Sequence, residues 1–314
     1  MKESAKRFLH GTRQTVVVTV VLMLICGLLF PLLMTGLSAL FFPHQAGGSL
    51  VTVDGKAVGA EHVGQEFTED YYMWSRPSAY HYNVYTEDEE GNQTYLDGTE
   101  FPGIGSGSNN YAPSNPALVE RVEQDIVNYV ARTLKVDTAN LPGEAELLDA
   151  QIAYIAGKAN MSAEQLKQQA TAVPEDGSEV LAYLAETAGL AAGEKEMEAL
   201  SAEAPTLYQL QKEYIAEAAG TSNEEVENMV ASLPTDLMTA SGSGLDPHIS
   251  PMSAEIQVPR LAEASGLGEE KIREIIKNNT SGKFLGIFGE ETVNVLKVNV
   301  EIGQAMGILS SDAE

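Results

Sequence analysis

The stretch TASGSGLDPHISP, Thr239 to Pro251, contains the residue types in this chain that are best suited to catalysis or phosphate binding. Serine, aspartate and histidine together are typical of nucleophilic hydrolases, and glycine-rich loops can bind phosphate. A nucleophile elbow has the pattern G-x-S-x-G, which Gly242-Ser243-Gly244 lacks. A Walker-type phosphate loop needs a lysine directly after its last glycine, and none follows Gly244. The spacing therefore argues against both kinds of site.

Asp246 and His248 also fit a catalytic triad poorly, because only the stiff Pro247 separates them. The simpler interpretation is a tight Gly-Ser loop that turns at Asp246-Pro247. Ser250 then caps a helix that has Pro251 in its first position. Single histidines most often form ordinary hydrogen bonds in a core or at a surface, and His248 is interpreted in that way.

A second loop, GIGSGSNNYAPSNP, is uncharged and raises the same question. Its glycines and serines could bind an anion through backbone N–H groups, but an ordered loop packed on a neighbouring segment is the more common outcome. The loop ends at Asn115 and Pro116, which predict the N-cap and first residue of an amphipathic helix.

Composition limits the classes of partner. The 314-residue chain has 19 Lys+Arg and 45 Asp+Glu, a net charge of -26. Such a surface repels nucleic-acid phosphates, which argues against DNA or RNA as a partner, and it attracts cations. The single cysteine, Cys26, excludes an intrachain disulfide, and no Cys/His cluster has the spacing of a zinc site.

The segment 16–42 is apolar and uncharged, which predicts a transmembrane helix that Pro31 kinks. Basic residues in 1–15 precede it, so the N-terminus is expected in the cytoplasm and the rest of the chain outside. The lipid bilayer is thus one expected partner. A cleaved signal peptide with Gly36 or Ser38 near the cleavage site is the alternative, but its apolar region would be unusually long.

The remaining chain predicts an α+β domain in two parts, 43–134 and 233–314. Asp54-Gly55 predicts a β-hairpin over 51–58, and the alternating pattern TVNVLKVNVEI predicts a strand over 292–302. The acidic segment 84–103 is expected to be a solvated loop, because its spacing does not match a calcium-binding loop.

The acidic region 135–232 is interpreted as a helical insertion. The sequence APTLYQLQKEYIAEAAG resembles SPMSAEIQVPRLAEASG near the C-terminus, with weaker copies around Leu184 and Ile155. The pattern predicts helix-turn-helix repeats, each with proline opening the first helix and glycine closing it.

The motifs RPSAYHYN, SGSNNYAPSNPAL, LPTDLMTASGSGLDPHISPMSAEIQVPR and VNVLKVN resemble the C-subunit family of the potassium-transporting Kdp ATPase. The resemblance covers 1–134 and 233–310, and the insertion is not typical of the family. The family has Ser-Gly-Gly-Ser-Asn-Leu where this chain has SGSNNY at 106–111, which weakens any transfer of nucleotide contacts. The resemblance implies interface candidates at Arg76, Pro77, Ser78, Asn83, Ser106, Gly107, Ser114, Asn115, Pro116, Ser241, Gly242, Ser243, Gly244, Asp246, His248 and Gln257.

The resemblance also implies a function: a non-catalytic subunit that stabilises a potassium uptake complex and acts as a chaperone raising the ATP affinity of its ATPase. The implied partners are a P-type ATPase subunit, a channel-like potassium-binding subunit and a small membrane peptide. ATP and potassium are expected to be handled by the complex, and no cofactor or metal is assigned to this chain. The alternative is a membrane-anchored extracytoplasmic binding or sensing module, or, less in keeping with the spacing, a serine hydrolase.

Overall fold

The computed structural model describes residues 2–88, 90–96, 98–174, 177–190, 193–283 and 285–310. Outside these ranges lie Met1 of the predicted N-terminal segment, Glu89 and Asp97 of the predicted acidic loop, 175–176 and 191–192 of the predicted helical region, and Phe284 and 311–314 of the last predicted segment. The helices are α1 (Lys2–Leu24), α2 (Phe30–Phe41), α3 (Pro43–Ala46), α4 (Pro116–Thr133), α5 (Glu144–Lys158), α6 (Ala163–Gln169), α7 (Gly177–Thr187), α8 (Glu194–Glu203), α9 (Leu207–Ala219), α10 (Asn223–Ser232), α11 (Thr235–Met238), α12 (Pro251–Glu255), α13 (Val258–Ser265), α14 (Glu269–Asn278) and α15 (Val295–Ala305). The strands are β1 (Leu50–Val53), β2 (Lys56–Ala60), β3 (Tyr85–Glu87), β4 (Gln93–Tyr95), β5 (His248–Ile249), β6 (Thr280–Ser281) and β7 (Thr292–Asn294).

The N-terminal helix is long and apolar enough to cross a membrane. Helix α1 continues through a π-helical turn, Ile25–Leu29, into α2. Within Gly11–Phe41 the most apolar 18-residue stretch has a mean hydropathy of 2.9, and none of that stretch is buried by the rest of the chain. Pro31 lies two residues after the π-helical turn, and such a turn accommodates the backbone hydrogen bond that proline cannot make.

Two short hairpins follow the apolar helix. Strands β1 and β2 pair around Asp54 and Gly55, which both have positive φ, so the predicted hairpin is confirmed. The prediction of an irregular acidic loop over 84–103 is wrong in part, because β3 and β4 pair there. The Asp88 carboxylate accepts hydrogen bonds from the N–H groups of Glu90 and Asn92, which organises the turn between these strands.

The C-terminal part forms a three-stranded antiparallel sheet, in the order β5-β7-β6, covered by α12 to α15. The predicted strand over 292–302 is wrong beyond Asn294. The Asn294 side chain accepts a hydrogen bond from the N–H of Lys297 and caps α15. Val295, Val298 and Ile302 then lie on one buried face at helical spacing. The β-branched residues and their partial alternation had favoured a strand.

The helices between the two parts of the α+β region form two apolar cores. Helices α5, α6 and α7 enclose one core around Ile155, Leu166 and Leu184. Helices α9 and α10 instead share a core with α4, in which Ile215 packs with Val127. The predicted cap of α4 by Asn115 and its first residue Pro116 are confirmed.

Glycine caps with left-handed backbone conformation close α9 at Gly220 and α13 at Gly266, as the pattern predicts. Proline opens α12 at Pro251, whereas the helix after Pro205 begins two residues later, with Thr206 as its N-cap. The prediction that proline opens the first helix is therefore wrong for this copy, because a threonine side chain caps the helix instead.

Candidate functional site

Three segments distant in sequence, 76–83, 105–107 and 239–248, join in one hydrogen-bonded group, which we call the Ser-Gly cluster. The Ser78 hydroxyl donates to the carbonyl oxygen of Gly244 (2.6 Å) and accepts from the N–H groups of Tyr80 and Tyr82 (3.1 Å each). One serine therefore ties the aromatic segment to the Ser-Gly loop and fixes its own turn.

The segment 105–107 is tied to both neighbours. The Gly107 N–H and the Ser106 hydroxyl both donate to the carbonyl oxygen of Ser243, at 2.8 and 3.0 Å. The Asn83 amide donates to the Gly105 carbonyl oxygen (3.0 Å) and accepts from the Gly105 N–H (2.9 Å). The loop GIGSGSNNYAPSNP is thus packed against the Ser-Gly loop, as predicted for an ordered loop.

Within the Ser-Gly loop, the serine hydroxyls occupy the N–H groups that a phosphate would need. The Gly244 N–H donates to the Ser241 hydroxyl (2.9 Å) and the Leu245 N–H donates to the Ser243 hydroxyl (3.1 Å). A phosphate cradle requires such N–H groups to point outward together. In this arrangement the loop supports its own conformation and the contact with its neighbours.

An ion pair joins the aromatic segment to the end of the loop. Arg76 Nη1 lies 3.1 Å from Asp246 Oδ2, and the same guanidinium also donates to the Thr239 carbonyl oxygen. Burial alone would raise the pKa of Asp246, but hydrogen bonds from His248 and the charge of Arg76 hold the pKa below its usual value. Asp246 is therefore ionised at neutral pH and acts as a fixed partner for Arg76.

The ring of His248 contacts Asp246 and Asn294. Its Nδ1 is 3.5 Å from Asp246 Oδ1, and its Nε2 is 3.5 Å from the amide nitrogen of Asn294. The hydroxyls of Ser241 and Ser243 face each other at 3.3 Å. No nucleophile–base hydrogen bond of a hydrolase is formed among these described residues.

Gln257 anchors the neighbouring backbone from a buried position. Its side-chain oxygen accepts from the N–H of Trp74 (2.8 Å), and its nitrogen donates to the Trp74 carbonyl oxygen (3.1 Å). Asn299 makes the same pair of bonds to Met73 (2.6 and 2.9 Å). Two buried amide side chains thus replace strand partners for this segment.

The indole of Trp74 lies between two guanidinium groups. The Cζ atoms of Arg132 and Arg260 lie 3.7 and 3.5 Å from its ring. Burial lowers the pKa of each arginine to about 10, so both stay charged at neutral pH. Trp74, which leads into the Ser-Gly cluster, is therefore held at its backbone by Gln257 and at its indole ring by two arginines.

A cavity of about 190 Å³ lies between the Ser-Gly cluster and α4. Its lining includes Arg76, Pro77 and His81, with Asp125 on the α4 side. Asp125 Oδ2 is buried and has no hydrogen-bond partner in the described part of the chain; Arg121 Nε is 4.0 Å away. Burial raises the pKa of Asp125 from 3.8 to about 6.

Asp125 should make the stability of the protein depend on pH. Because its pKa is higher in the folded state, the folded state binds its proton more tightly, and the stabilisation present below pH 4 is lost as the pH rises through 6. We expect Asp125→Asn to be more stable than wild type at pH 8 by about 2 kcal/mol, and equal to it near pH 4. Urea denaturation of the full chain at both pH values measures this, with exposed Glu217→Gln as control. An equal effect of Asp125→Asn at both pH values would contradict the assignment.

Most of the predicted interface residues meet in the Ser-Gly cluster, and a few do not. Within the cluster, Pro77 also lines the cavity and Gly242 is exposed in the loop, whereas Gln257 lies outside it, behind the Trp74 segment. Asn115 caps α4, Pro116 is its first residue and Ser114 precedes the cap, so these three lie outside the three segments of the cluster. Seven residues that complete the packing were not selected from the sequence, although the quoted motifs contain Tyr80, Tyr82, Arg260 and Asn299. The seven are Gly64, Tyr80, Tyr82, Gly105, Arg132, Arg260 and Asn299.

Comparison with known proteins gives one consistent result. The family model "KdpC: K+-transporting ATPase, c chain" matches residues 12–175 and 183–304. The match includes most of 135–232, so the prediction that this region is not typical of the family is wrong. A Clostridium kluyveri protein named "Potassium-transporting ATPase KdpC subunit" is 36% identical over 303 residues, covering 96% of this chain and 98% of the relative. Proteins of the same name from Clostridioides difficile and Rhodopseudomonas palustris are 32% and 30% identical, covering 95% and 94% of this chain and 98% and 96% of the relatives. The chain therefore belongs to the KdpC family, the c chain of K+-transporting ATPases.

Proposed function

We propose that this chain is the non-catalytic accessory subunit of an ATP-driven potassium uptake complex, with its α+β domain on the outer side of the membrane. The family match supports a role as one subunit of a potassium-transporting ATPase. The single apolar helix with basic residues before it supports the orientation, because positively charged flanks stay in the cytoplasm. The observation that carries the proposal is this family match together with the apolar helix.

The role we propose is to hold the complex together, with the Ser-Gly cluster as a rigid contact surface. Its polar groups are largely bonded to one another, and Gly242 and Ser243 remain exposed at its outer edge. A preformed surface loses little conformational entropy when it binds. The partners we propose are the P-type ATPase subunit, the channel-like potassium-binding subunit and the small membrane peptide.

The proposed chaperone role needs a route across the membrane. A domain outside the membrane is separated from cytoplasmic ATP, so an effect on ATP affinity must pass through the apolar helix as a coupling between two sites. The matching measurement is the KM for ATP of the complex purified with and without this chain. A higher KM without the chain supports the role, and an unchanged KM contradicts it.

The orientation is tested by cysteine labelling, for which the single native cysteine is convenient. In a Cys26→Ala background, Glu198→Cys places a thiol on the exposed face of α8, and Ser4→Cys places one before the apolar segment. We expect a membrane-impermeant maleimide to label Cys at 198 in intact cells and Cys at 4 only after permeabilisation. The reverse pattern would invert the topology and place the domain beside cytoplasmic ATP.

A further inference from the structure

An open cleft of about 810 Å³ lies between α4, α5, α7 and α9. Its volume falls within the range of binding pockets in proteins, and its lining comes from these four helices and from Val173 and Pro174 before α7. It is separate from the Ser-Gly cluster and shares no lining residue with the cavity beside Asp125. Nothing in the proposed function uses it.

The rim of the cleft is acidic. Glu120 and Glu123 of α4 and Glu144 at the start of α5 line it, and none forms an ion pair within 4 Å in the described part of the chain. The neighbouring Lys212 is engaged by Glu227 and lies 4.2 Å from the Tyr208 ring. Burial is the main cause that raises the pKa of Glu123, and the charge of Glu120 adds to it, while the charge of Lys212 partly opposes the rise.

The floor of the cleft is apolar and only half-buried. Leu147 of α5 and Leu207 of α9 line it, and neither belongs to the apolar cores of the described residues. Tyr208 lies beside them, and buried Gln211 donates to the Pro142 carbonyl oxygen (2.9 Å), which fixes α9 against the start of α5. The floor is therefore a preformed apolar surface held by a rigid frame.

We propose that this cleft binds a short cationic amphipathic segment of another protein, with its apolar side chains on Leu147 and Leu207 and its lysines or arginines against Glu120, Glu123 and Glu144. The negative charge of the rim determines which kind of segment can bind. A second copy of this chain is unsuitable, because the region 135–232 itself carries 5 Lys and 18 Asp+Glu. An apolar floor with a rim of one charge matches the helix-in-groove mode of peptide recognition.

The test uses the full chain in neutral phosphocholine nanodiscs and a fluorescent helical peptide of about 15 residues, long enough to span about 22 Å, with leucines on one face and lysines beside them. Fluorescence anisotropy is measured against empty nanodiscs, which correct for lipid binding. We expect Glu120→Gln/Glu123→Gln/Glu144→Gln to weaken binding about tenfold, as expected for three lost charge pairs.

Net charge alone would also attract a basic peptide, so a matched control is essential. Glu194→Gln/Glu198→Gln/Glu217→Gln removes the same charge from exposed positions outside the cleft and should change binding less than about twofold. Leu147→Ser should weaken binding of the leucine peptide and leave a lysine peptide without leucines unaffected. Equal losses in the two triple variants, or no effect of Leu147→Ser, would overturn the proposal. Because the isolated chain is tested, the result does not depend on the role in the potassium complex.

Discussion

Gly64→Ala is expected to destabilise the protein by about 3 kcal/mol, although it adds only one methyl group. The new Cβ atom would lie 2.6 Å from the Asp246 carbonyl oxygen and overlap the Tyr82 ring. The ring cannot move aside freely, because Tyr82 is buried and its hydroxyl donates to the Arg76 carbonyl oxygen at 2.9 Å. The Gly64 N–H is also bonded to the Leu245 carbonyl oxygen at 2.8 Å, so the backbone is held on the other side.

The measurement is thermal unfolding of the full chain in detergent, where a loss of this size lowers Tm by about 6 °C or more. Gly157→Ala, in the last turn of α5 with no atom within 4 Å of the new Cβ, is the matched control and should raise stability slightly. We also expect Gly64→Ala to reduce recovery of the assembled complex, since it displaces Asp246 and with it Arg76. A Tm equal to wild type would show that the contact between these loops is loose.

Gln257→Leu is expected to cost about 3 kcal/mol or more, despite its similar volume and greater apolarity. The change leaves the N–H and carbonyl oxygen of Trp74 without their amide partner in a buried position. It also removes the oxygen that accepts from Arg260 Nη2 at 2.7 Å, next to the Trp74 ring. A buried polar group without a partner is costlier than the apolar gain from a leucine.

Urea denaturation with Gln168→Leu as control separates this effect from a general effect of leucine. Gln168 is exposed on α6, and its replacement should change the free energy of unfolding by less than about 0.5 kcal/mol. Gln257→Glu is the informative second variant, because a carboxylate still accepts from Trp74 and Arg260 but cannot donate to the Trp74 carbonyl oxygen. We expect it to lie between wild type and Gln257→Leu. Equal stability of all three proteins would show that the amide does not anchor this backbone.

Local chemistry made several elements predictable. Asp54-Gly55 tolerates the positive φ angles of a tight hairpin turn, and Asn115-Pro116 supplies a cap and a helical first residue. The apolar run 16–42 is long enough to be identified by composition alone. The prediction of a strand was wrong over the residues of α15, because β-branched residues and alternation suggest a strand. The Asn294 cap and the surrounding core instead favour a helix.

The sequence by itself determined the apolar helix, the hairpin turn, the helix caps and the family motifs, since each depends on residues that are neighbours in the chain. Only the tertiary structure decided that Ser78 bonds to Gly244, that Gln257 holds Trp74 and that acidic and apolar residues of four helices border one cleft. In each case the partners are far apart in sequence. A polar side chain in a loop can bond to any nearby backbone group, so its partner is fixed by how the elements pack and not by any local pattern.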